Sequence, residues 1–574
     1  MPVETRADLS RKLKICVLHG YLLTGTGSNI FVNNLVRSIC RQGHDVYLFC
    51  QENNPESIDF VYKYCVFMED NQKYETVFTK ETPFAGKCFL FNPHLKGLLP
   101  VFVLDRYKGF EVKTFMKMDI SEIEDHICQN VQAIETVFRE NNFDVIQANH
   151  VIISPFIARK LWEKYKVPYY ITLHGSALNF VVKKDSRMIP YANSALLDAS
   201  KIFAVSNHNR LEALDFFEII APEIEEKLVV IPAGVDTDLF NILEGSKQDS
   251  IEKLKSIMKE RVKLLPNGKK IEQKRDFLAE LEQTYSVAEV DKLVSIYNEK
   301  YEQSHPDQDI VEMLDQIDWE RDRVVLFVGK YMWTKGIQLV IGALPFILKY
   351  IPNLQILLVG FGNYREELEA LVHSIDAGRR ELFSYLMEKS LKQPDSDDSS
   401  VSLSSTQIIR ITKPLKFLDA LAKRKKVKDY FEVASDRKLS QHVHFMGALG
   451  HNDLSNLLPC ADGFVAASIF PEAFGMVSIE ALACGVLPIV SNQTGFKEIV
   501  DLISETVDAG QGNPRVEINE DMLFNIAANI IQNIVMIDLQ GPRLKEDLRQ
   551  LTLDNFSWDS IAERYISFYE LENP

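Results

Sequence analysis

The chain has 574 residues, 46% of them hydrophobic and 25% charged. That length exceeds one core and predicts two domains of roughly 200 residues each plus insertions, while the balance excludes the disordered and fibrous classes. The formal charge of −17 opposes the dense basic face that nucleic acid requires, so nucleic-acid partners are set aside.

Lys14 to His19 reads as an apolar strand, Gly25-Thr26-Gly27-Ser28 as a turn, and the periodic stretch to Arg41 as a helix that stops at Gly43. Asp45 to Phe49 is the next strand, completing a βαβ unit. Further strand runs at Phe143 to Ala148, Tyr169 to Leu173, Ile202 to Val205 and Leu228 to Ile231 predict a parallel, doubly wound sheet in a domain spanning 1–240. Residues 241–320 are charged and helix-favouring and read as a helical insertion. A second βα series follows at Val324 to Gly329, Ile356 to Gly360, His442 to Gly447, Gly463 to Ala467 and Leu487 to Val490. It predicts a second Rossmann-like domain over 321–555, interrupted at about 372–440 by the loop-like Pro394-Asp-Ser-Asp-Asp-Ser-Ser and the basic run Lys423 to Lys428.

The eight cysteines, at 16, 40, 50, 65, 88, 128, 460 and 484, sit mostly in apolar runs without metal-ligand spacing and read as buried reduced thiols. The start of the chain carries no apolar leader, and no stretch approaches the roughly 20 apolar residues of a membrane span. The expected location is the cytoplasm. The basic run at 423–428 reads as a solvated helix face and leaves peripheral contact with anionic lipid open.

Chemistry concentrates at Pro471 to Gly485. Glu472 lies in a turn, and Glu480, eight positions on, lies on the helix that follows, so a helix starting just after Glu472 aims both carboxylates at one ligand. The amides of Ala473, Phe474 and Gly475 at that helix start favour a phosphate. Lys330 and Lys335 follow the first strand of the second domain and suit the negative charge of a departing diphosphate. Gly25 and Gly27 let backbone amides approach a phosphate in the first domain. His174 ends a strand at the same carboxyl edge; His150 ends another and reads as structural. Asp236-Thr237-Asp238 reads as a turn and cap, and Asp395-Ser-Asp-Asp as a loop without convergent ligands, so no metal site is expected.

These residues resemble a known family, the retaining glycosyltransferases of family 4 with the two-domain GT-B fold, over most of 13–240 and 321–570. The resemblance is carried by Gly25 to Ser28 with Gly43-His44-Asp45-Val46, Thr172 to Ser176, Ile231 to Asp236, Val328-Gly-Lys330 with Lys335-Gly336, Leu358-Val-Gly360, His444 to Gly447, and Pro471 to Gly485. It implies two Rossmann-like domains facing a cleft, with 556–574 as a last helix crossing back over the first domain. It assigns the donor diphosphate to Lys330 and Lys335, the ribose hydroxyls to Glu480 and the sugar hydroxyls to Glu472. The cradle is completed by Gly27 and the amides after Glu472, with His174 beside the reacting centre and main-chain groups near Gly447 and Leu449 reading the base. Lysine at 330 stands where the family usually has arginine, which removes a bidentate fork and keeps the charge.

The expectation is therefore a metal-independent, cofactor-free enzyme passing a hexose from a UDP-, GDP- or ADP-linked donor, with retention, to a hydroxyl of a sugar, glycoside or lipid. The rivals are a non-catalytic scaffold of the same fold and a GT-B phosphorylase carrying pyridoxal phosphate. Donor base, acceptor, oligomeric state and the work of both insertions stay open at this stage.

Overall fold

The computed structural model describes residues 11–25, 27–102, 109–392, 416–506 and 513–571. Thr26 and the acidic stretch from Pro394 lie outside them. Contacts divide the chain into two units, Met1–Gly234 with Phe556–Pro574 and Val235–Asn555.

In the first unit the strands are β1 (Lys14–Leu18), β2 (Asp45–Phe49), β3 (Val61–Phe67), β4 (Tyr74–Thr79), β5 (Cys88–Asn92), β6 (Leu98–Val101), β7 (Glu111–Thr114), β8 (Val145–Asn149), β9 (Tyr169–Leu173), β10 (Lys201–Ala204) and β11 (Leu228–Val230). Nine form one sheet in the order β11-β10-β9-β8-β1-β2-β5-β3-β4, while β6 and β7 pair separately. All neighbours are parallel except β3 with β4. Strand order therefore reverses at β1, where β2 and β8 flank it. The strands β3 to β7 were not individually legible: β4 is an edge strand exposed along most of its length, without the alternation that marks a half-buried strand.

The central strands β8 and β9 are buried at every position, as a sheet covered on both faces demands. Two polar side chains inside them are satisfied by the last helix, Trp558–Leu571. Tyr569 Oη donates to Gln147 Oε1 at 2.7 Å, and Tyr565 Oη lies 2.9 Å from Thr172 Oγ1. The same helix seats Trp558 edge-on against Phe31, so the C-terminal segment belongs to the first unit's core.

The second unit holds β12 (Arg323–Val328), β13 (Leu354–Val359), β14 (Val443–Gly447), β15 (Gly463–Ala466), β16 (Pro488–Ser491) and β17 (Arg515–Val516). They form a parallel sheet in the order β14-β13-β12-β15-β16-β17. The chain leaves β12 toward β13 and returns on its other side at β15, which makes the carboxyl ends of β12 and β15 the switch point where such sheets bind ligands.

The 241–320 stretch forms helices Lys247–Leu264, Ile271–Glu282, Val287–Asn298 and Ile310–Asp315. It shares the second unit's core: Phe277, Leu281, Val290 and Tyr297 pack in one cluster with Val325, Phe327 and Leu371. A buried ion network reinforces this joint. Lys269 Nζ donates to Glu366 and Glu369, both at 2.8 Å, and Arg365 meets Asp307 through two bonds of 3.0 and 2.7 Å. Burial alone would raise the Asp307 pKa, but the charges of Arg365 and Lys274 more than offset it and hold it down at about 2.

Two expectations need correction. Cys128 is exposed, whereas the other seven cysteines are buried, and all eight are free. By length and composition alone, one helix among the described residues, Met522–Phe556, is apolar enough to cross a membrane. Half of its most apolar stretch is buried, with Met522, Leu523, Ile526 and Ile530 in the second unit's core.

Candidate active site

In the second unit the chain leaves β12 through Lys330, makes a short 3-10 turn at Trp333–Lys335, and enters helix Ile337–Leu348 through Gly336. Gly336 has φ +68, and a Cβ there would stand 1.9 Å from the carbonyl oxygen of Ala467. Only glycine lets this turn press against the segment that follows β15. That segment is fastened in return: Ile469 N–H donates to Thr334 O at 2.9 Å, Ser491 Oγ–H to Ser468 O at 2.5 Å, and Gln493 Nε2–H to Ser468 O at 2.8 Å.

The clamp brings Lys335 and Glu472 together. Lys335 Nζ donates to Glu472 Oε1 at 2.5 Å, and Ser468 Oγ–H donates to the same oxygen at 2.6 Å. The backbone of Glu472 is held at both ends of its peptide by the start of helix Thr494–Thr506: its N–H donates to Thr494 Oγ1 at 2.9 Å, and its carbonyl accepts from Gly495 N–H at 3.0 Å. Both side chains keep solvent access, 31% for Lys335 and 18% for Glu472. A lysine and a carboxylate of fixed orientation thus stand beside each other at the switch point, a cation for phosphate oxygens next to an acceptor for hydroxyls.

The helix after Glu472 starts later than expected. Gly475 is its cap, with φ +98 and the Phe496 ring so near that a Cβ would stand 2.1 Å from it, and the helix proper is Met476–Ala483. Phe474 is buried, and Glu480 falls on the helix's second turn with its side chain 5% exposed. Its Oε1 lies 3.2 Å from His451 Nε2, while its Oε2 is buried without a hydrogen-bond partner. Glu472 and Glu480 accordingly hold different partners in the ligand-free chain. Ser468, Thr494 and His451 were all missed in the sequence; a polar residue just beyond the end of a parallel strand is the signal that could have found Ser468.

Lys330 is exposed, with Nζ 5.7 Å from the centroid of the Phe361 ring. Gly447 ends β14 beside the 241–320 stretch. Asp307 N–H donates to Met446 O at 3.1 Å, Ala448 N–H to His305 O at 3.2 Å, and Gly360 N–H to Gly447 O at 2.9 Å. Asp236 Oδ1 accepts from the amides of Asp238 and Leu239, both at 3.1 Å, as a turn cap does. Among the described residues no group of three or more His, Cys, Asp and Glu is disposed to hold a metal ion.

In the first unit Gly25 and Gly27 are exposed, Gly25 with φ +95 and Gly27 as the first residue of helix Gly27–Arg41. His174 follows β9 and its Nε2 lies 2.8 Å from Asn149 Oδ1. Because Asn149 spends its amide N–H on Leu18 O, Oδ1 is the acceptor and His174 carries its proton on Nε2, leaving Nδ1 as an acceptor. Burial pushes its pKa down to about 3, with His19 adding to the fall. His150, with φ +71, lies 4.9 Å from His174 and 6.1 Å from His19 between ring centroids. Burial depresses all three, His19 to about 4 and His150 further. His174 is therefore neutral, an acceptor for a hydroxyl rather than a cation for a phosphate.

A model of Glycosyltransferase Family 4 matches residues 118–239, and one of Glycosyl transferases group 1 matches residues 423–503. The first range contains His174; the second contains Glu472, Glu480 and Gly447. Two separate stretches of the chain, neither reaching half its length, thus match glycosyltransferase models. The chain's GT-B fold agrees with solved structures. A glycosyltransferase from Rickettsia africae aligns at TM-score 0.50 and 16% identity over 98% of this chain and 99% of that one. The catalytic domain of starch synthase IV from Arabidopsis thaliana, bound to ADP and acarbose, aligns at 0.50 and 13% over 98% and 99%. Among sequences, Spore coat protein SA of Bacillus subtilis is 23% identical over 259 residues, 45% of this chain and 52% of that protein. An uncharacterized glycosyltransferase of Methanocaldococcus jannaschii is 23% identical over 250 residues, 44% and 45%. The chain spans about half the length of the curated relatives it matches. Lys330 and Lys335 fall outside both matched ranges, so their place in the site rests on the geometry of the β12 exit.

Proposed function

We propose that the protein is a retaining, metal-independent glycosyltransferase that moves a hexose from a nucleotide-sugar to an acceptor hydroxyl of a sugar, glycoside or lipid. The observation that carries this reading is the Lys335–Glu472 pair, held at 2.5 Å at the carboxyl end of β12 and β15 with Ser468 on the same carboxylate oxygen. A lysine so placed meets the charge that develops on a leaving diphosphate, and a fixed donor of this kind contributes on the order of 3 kcal/mol to the transition state. Glu472, exchanging its lysine for ligand, accepts from sugar hydroxyls. Glu480, with Oε2 unpartnered, accepts from the ribose. Lys330 adds a mobile point charge for the diphosphate, and the neutral His174 offers Nδ1 to a sugar hydroxyl. The amides at the start of helix Met476–Ala483 offer donors to phosphate in the second unit, and those at Gly25 and Gly27 are phosphate donors of the first.

The test is a thermal-shift panel of UDP-, GDP- and ADP-sugars with and without EDTA, followed by NMR of the product anomer. A ligand at about 100 times its Kd adds roughly 2.7 kcal/mol of stability. One donor class is expected to shift the transition equally in EDTA and to yield a product with the donor's anomeric configuration. Lys335→Ala and Glu472→Ala are each expected to reduce turnover at least about a hundredfold while the protein stays folded. Near-wild-type rates in both variants refute the assigned roles; an inverted product refutes retention.

A further inference from the structure

Glu480 is a buried carboxylate with one oxygen engaged and one free. Its side chain is 5% exposed, His451 Nε2 stands 3.2 Å from Oε1, and Oε2 has no partner. A buried carboxylate oxygen left without a donor is destabilising, and such groups are rare unless a ligand or water completes them. The imidazole supplies the N–H that keeps the carboxylate from rotating away from its ligand. Phe240 presents its ring at 77° to the imidazole at 6.0 Å, bounding its other side.

His451 is itself set in place from outside the core of the sheet. It is the first residue of helix His451–Leu457, whose start is fixed by Gly450 N–H donating to Asp453 Oδ2 at 3.0 Å. The same oxygen receives Arg261 Nη1 from helix Lys247–Leu264 at 2.5 Å, and the Asp453 side chain is 1% exposed. Ser250 Oγ–H on that helix donates to Asn456 O at 2.8 Å, a second fastening on helix His451–Leu457.

We propose that His451 is a positioning residue for Glu480, turning Oε2 to the ribose hydroxyls of the donor nucleotide, and that helix Lys247–Leu264 sets His451 through Arg261 and Asp453. This rests on the reading of Glu480 as the residue that holds the ribose. It gives the 241–320 stretch a function on the donor side of the reaction, and it adds to the site a histidine that acts through another side chain.

The experiment measures binding of UDP, GDP and ADP and their 2′-deoxy counterparts to the full chain by calorimetry. It compares the wild type with His451→Leu, His451→Gln, Arg261→Met and Glu480→Gln. With the nucleotide the wild type binds best, the ribo form is expected to bind about tenfold tighter than the deoxy form, the value of one hydrogen bond to a charged group. His451→Leu is expected to lose most of that preference by weakening the ribo form alone. His451→Gln, which keeps an N–H, is expected to restore it to within about threefold; Arg261→Met moves in the direction of the leucine variant. If His451→Leu keeps the preference while Glu480→Gln loses it, His451 does not position Glu480 and the inference falls while the ribose reading stands. If His451→Leu weakens ribo and deoxy forms alike, its role is structural and the inference also falls. If the wild type binds both forms equally, or binds none of the three nucleotides, the ribose reading falls and takes the inference with it. Should the leucine variant not fold, a glutamine variant that loses the preference overturns the proposal by itself.

Discussion

Replacing Gly336 by alanine tests whether the clamp at the exit of β12 is what builds the site. The new Cβ would stand 1.9 Å from Ala467 O, so the two segments must separate by at least about 1 Å to reach ordinary contact. Holding alanine at φ +68 adds about 1–2 kcal/mol of left-handed strain. Separation also stretches the bonds from Ile469 and Phe470 N–H to Thr334 O, now 2.9 and 3.3 Å, each worth about 0.5–1.5 kcal/mol. The total is about 2–5 kcal/mol, a fall in melting temperature of roughly 5–15 °C. Because Lys335 precedes the altered residue, a displacement of this size is expected to reduce turnover about a hundredfold. Gly378→Ala is the matched control, since φ there is +63 but no atom lies within 4 Å of the Cβ position. It retains the strain without the collision, and is expected to lose only about 1–2 kcal/mol with turnover unchanged. Thermal unfolding and turnover on whichever donor the wild type consumes are measured for both. If Gly336→Ala matches the control in stability and the wild type in rate, the contact with Ala467 does not hold the site.

Lys269→Met leaves Glu366 with only a 3.4 Å contact to Tyr301 and Glu369 with Arg365 alone. Stranding one charge in a buried network costs about 3–5 kcal/mol in denaturant titration; a loss below about 1 kcal/mol contradicts the burial of the joint. Tyr569→Phe removes the donor to Gln147 Oε1 inside β8 and is expected to cost about 1–3 kcal/mol; no change in melting would mean that Gln147 finds another donor. The pair of His451 and Glu480 gives a pH signature. The hydrogen bond to Glu480 raises the His451 pKa, burial pulls it back, and the charges of Glu480 and Asp236 add to the rise. Of the cations on neighbouring elements, Arg261 is spent on Asp453, and Arg549 on the carbonyls of Thr237, Phe240 and Ala483. A raised folded-state pKa means the native chain binds the proton more tightly than the unfolded chain. The stabilisation is complete below the ordinary value of 6.5 and is lost as pH rises through the raised value. Melting scans are expected to show wild type above His451→Gln in acid, the two converging in alkali; a constant gap removes the ionic part of the argument.

The parallel strands that position the site were legible because burial on both faces writes them as continuous apolar runs bounded by turn residues: β1, β2, β8 to β16 were placed within a few residues. The region from Cys50 to Asn142 was not, since β3 mixes exposed and buried positions without a clean period and β4 and β7 have no buried position, while β5 and β6, short and largely buried, went unread. That Lys330 and His174 follow closely on strand ends, and Glu472 on the segment after β15, was readable from position alone. What could not be read was which side chains share a carboxylate. Ser468 reaches Glu472 from four residues away, Lys335 from 137 and His451 reaches Glu480 across a helix boundary. No spacing rule records such meetings, because they depend on where separate loops end after the sheet is built. The helix start misplaced to Glu472 has a specific cause: Gly475 in the left-handed region delays the helix to Met476, and glycine in a sequence signals freedom without saying in which direction it is used.

The 241–320 stretch had no catalytic spacing, yet it is joined to the second unit more firmly than an appended helical hairpin requires. Apolar packing alone would allow it to slide, since aliphatic contacts are nondirectional. A bidentate Arg365–Asp307 pair and a lysine shared by two glutamates, all nearly inaccessible to solvent, do not slide, because a shift of 1 Å leaves charges unpaired in a medium that cannot solvate them. The same stretch bonds to the main chain at the end of β14 and, through Arg261, to the helix carrying His451. Its position is thus fixed relative to Glu480 and to the carboxyl end of β14 at once. A device for tethering a partner needs only an exposed face and tolerates slack at its root; slack is what these ion pairs remove. The rigidity is intelligible if the stretch sets the geometry of the nucleotide side of the site, and an Arg365→Met variant, which leaves Asp307 with Lys274 alone, is expected to weaken nucleotide binding before it alters any surface the helices present.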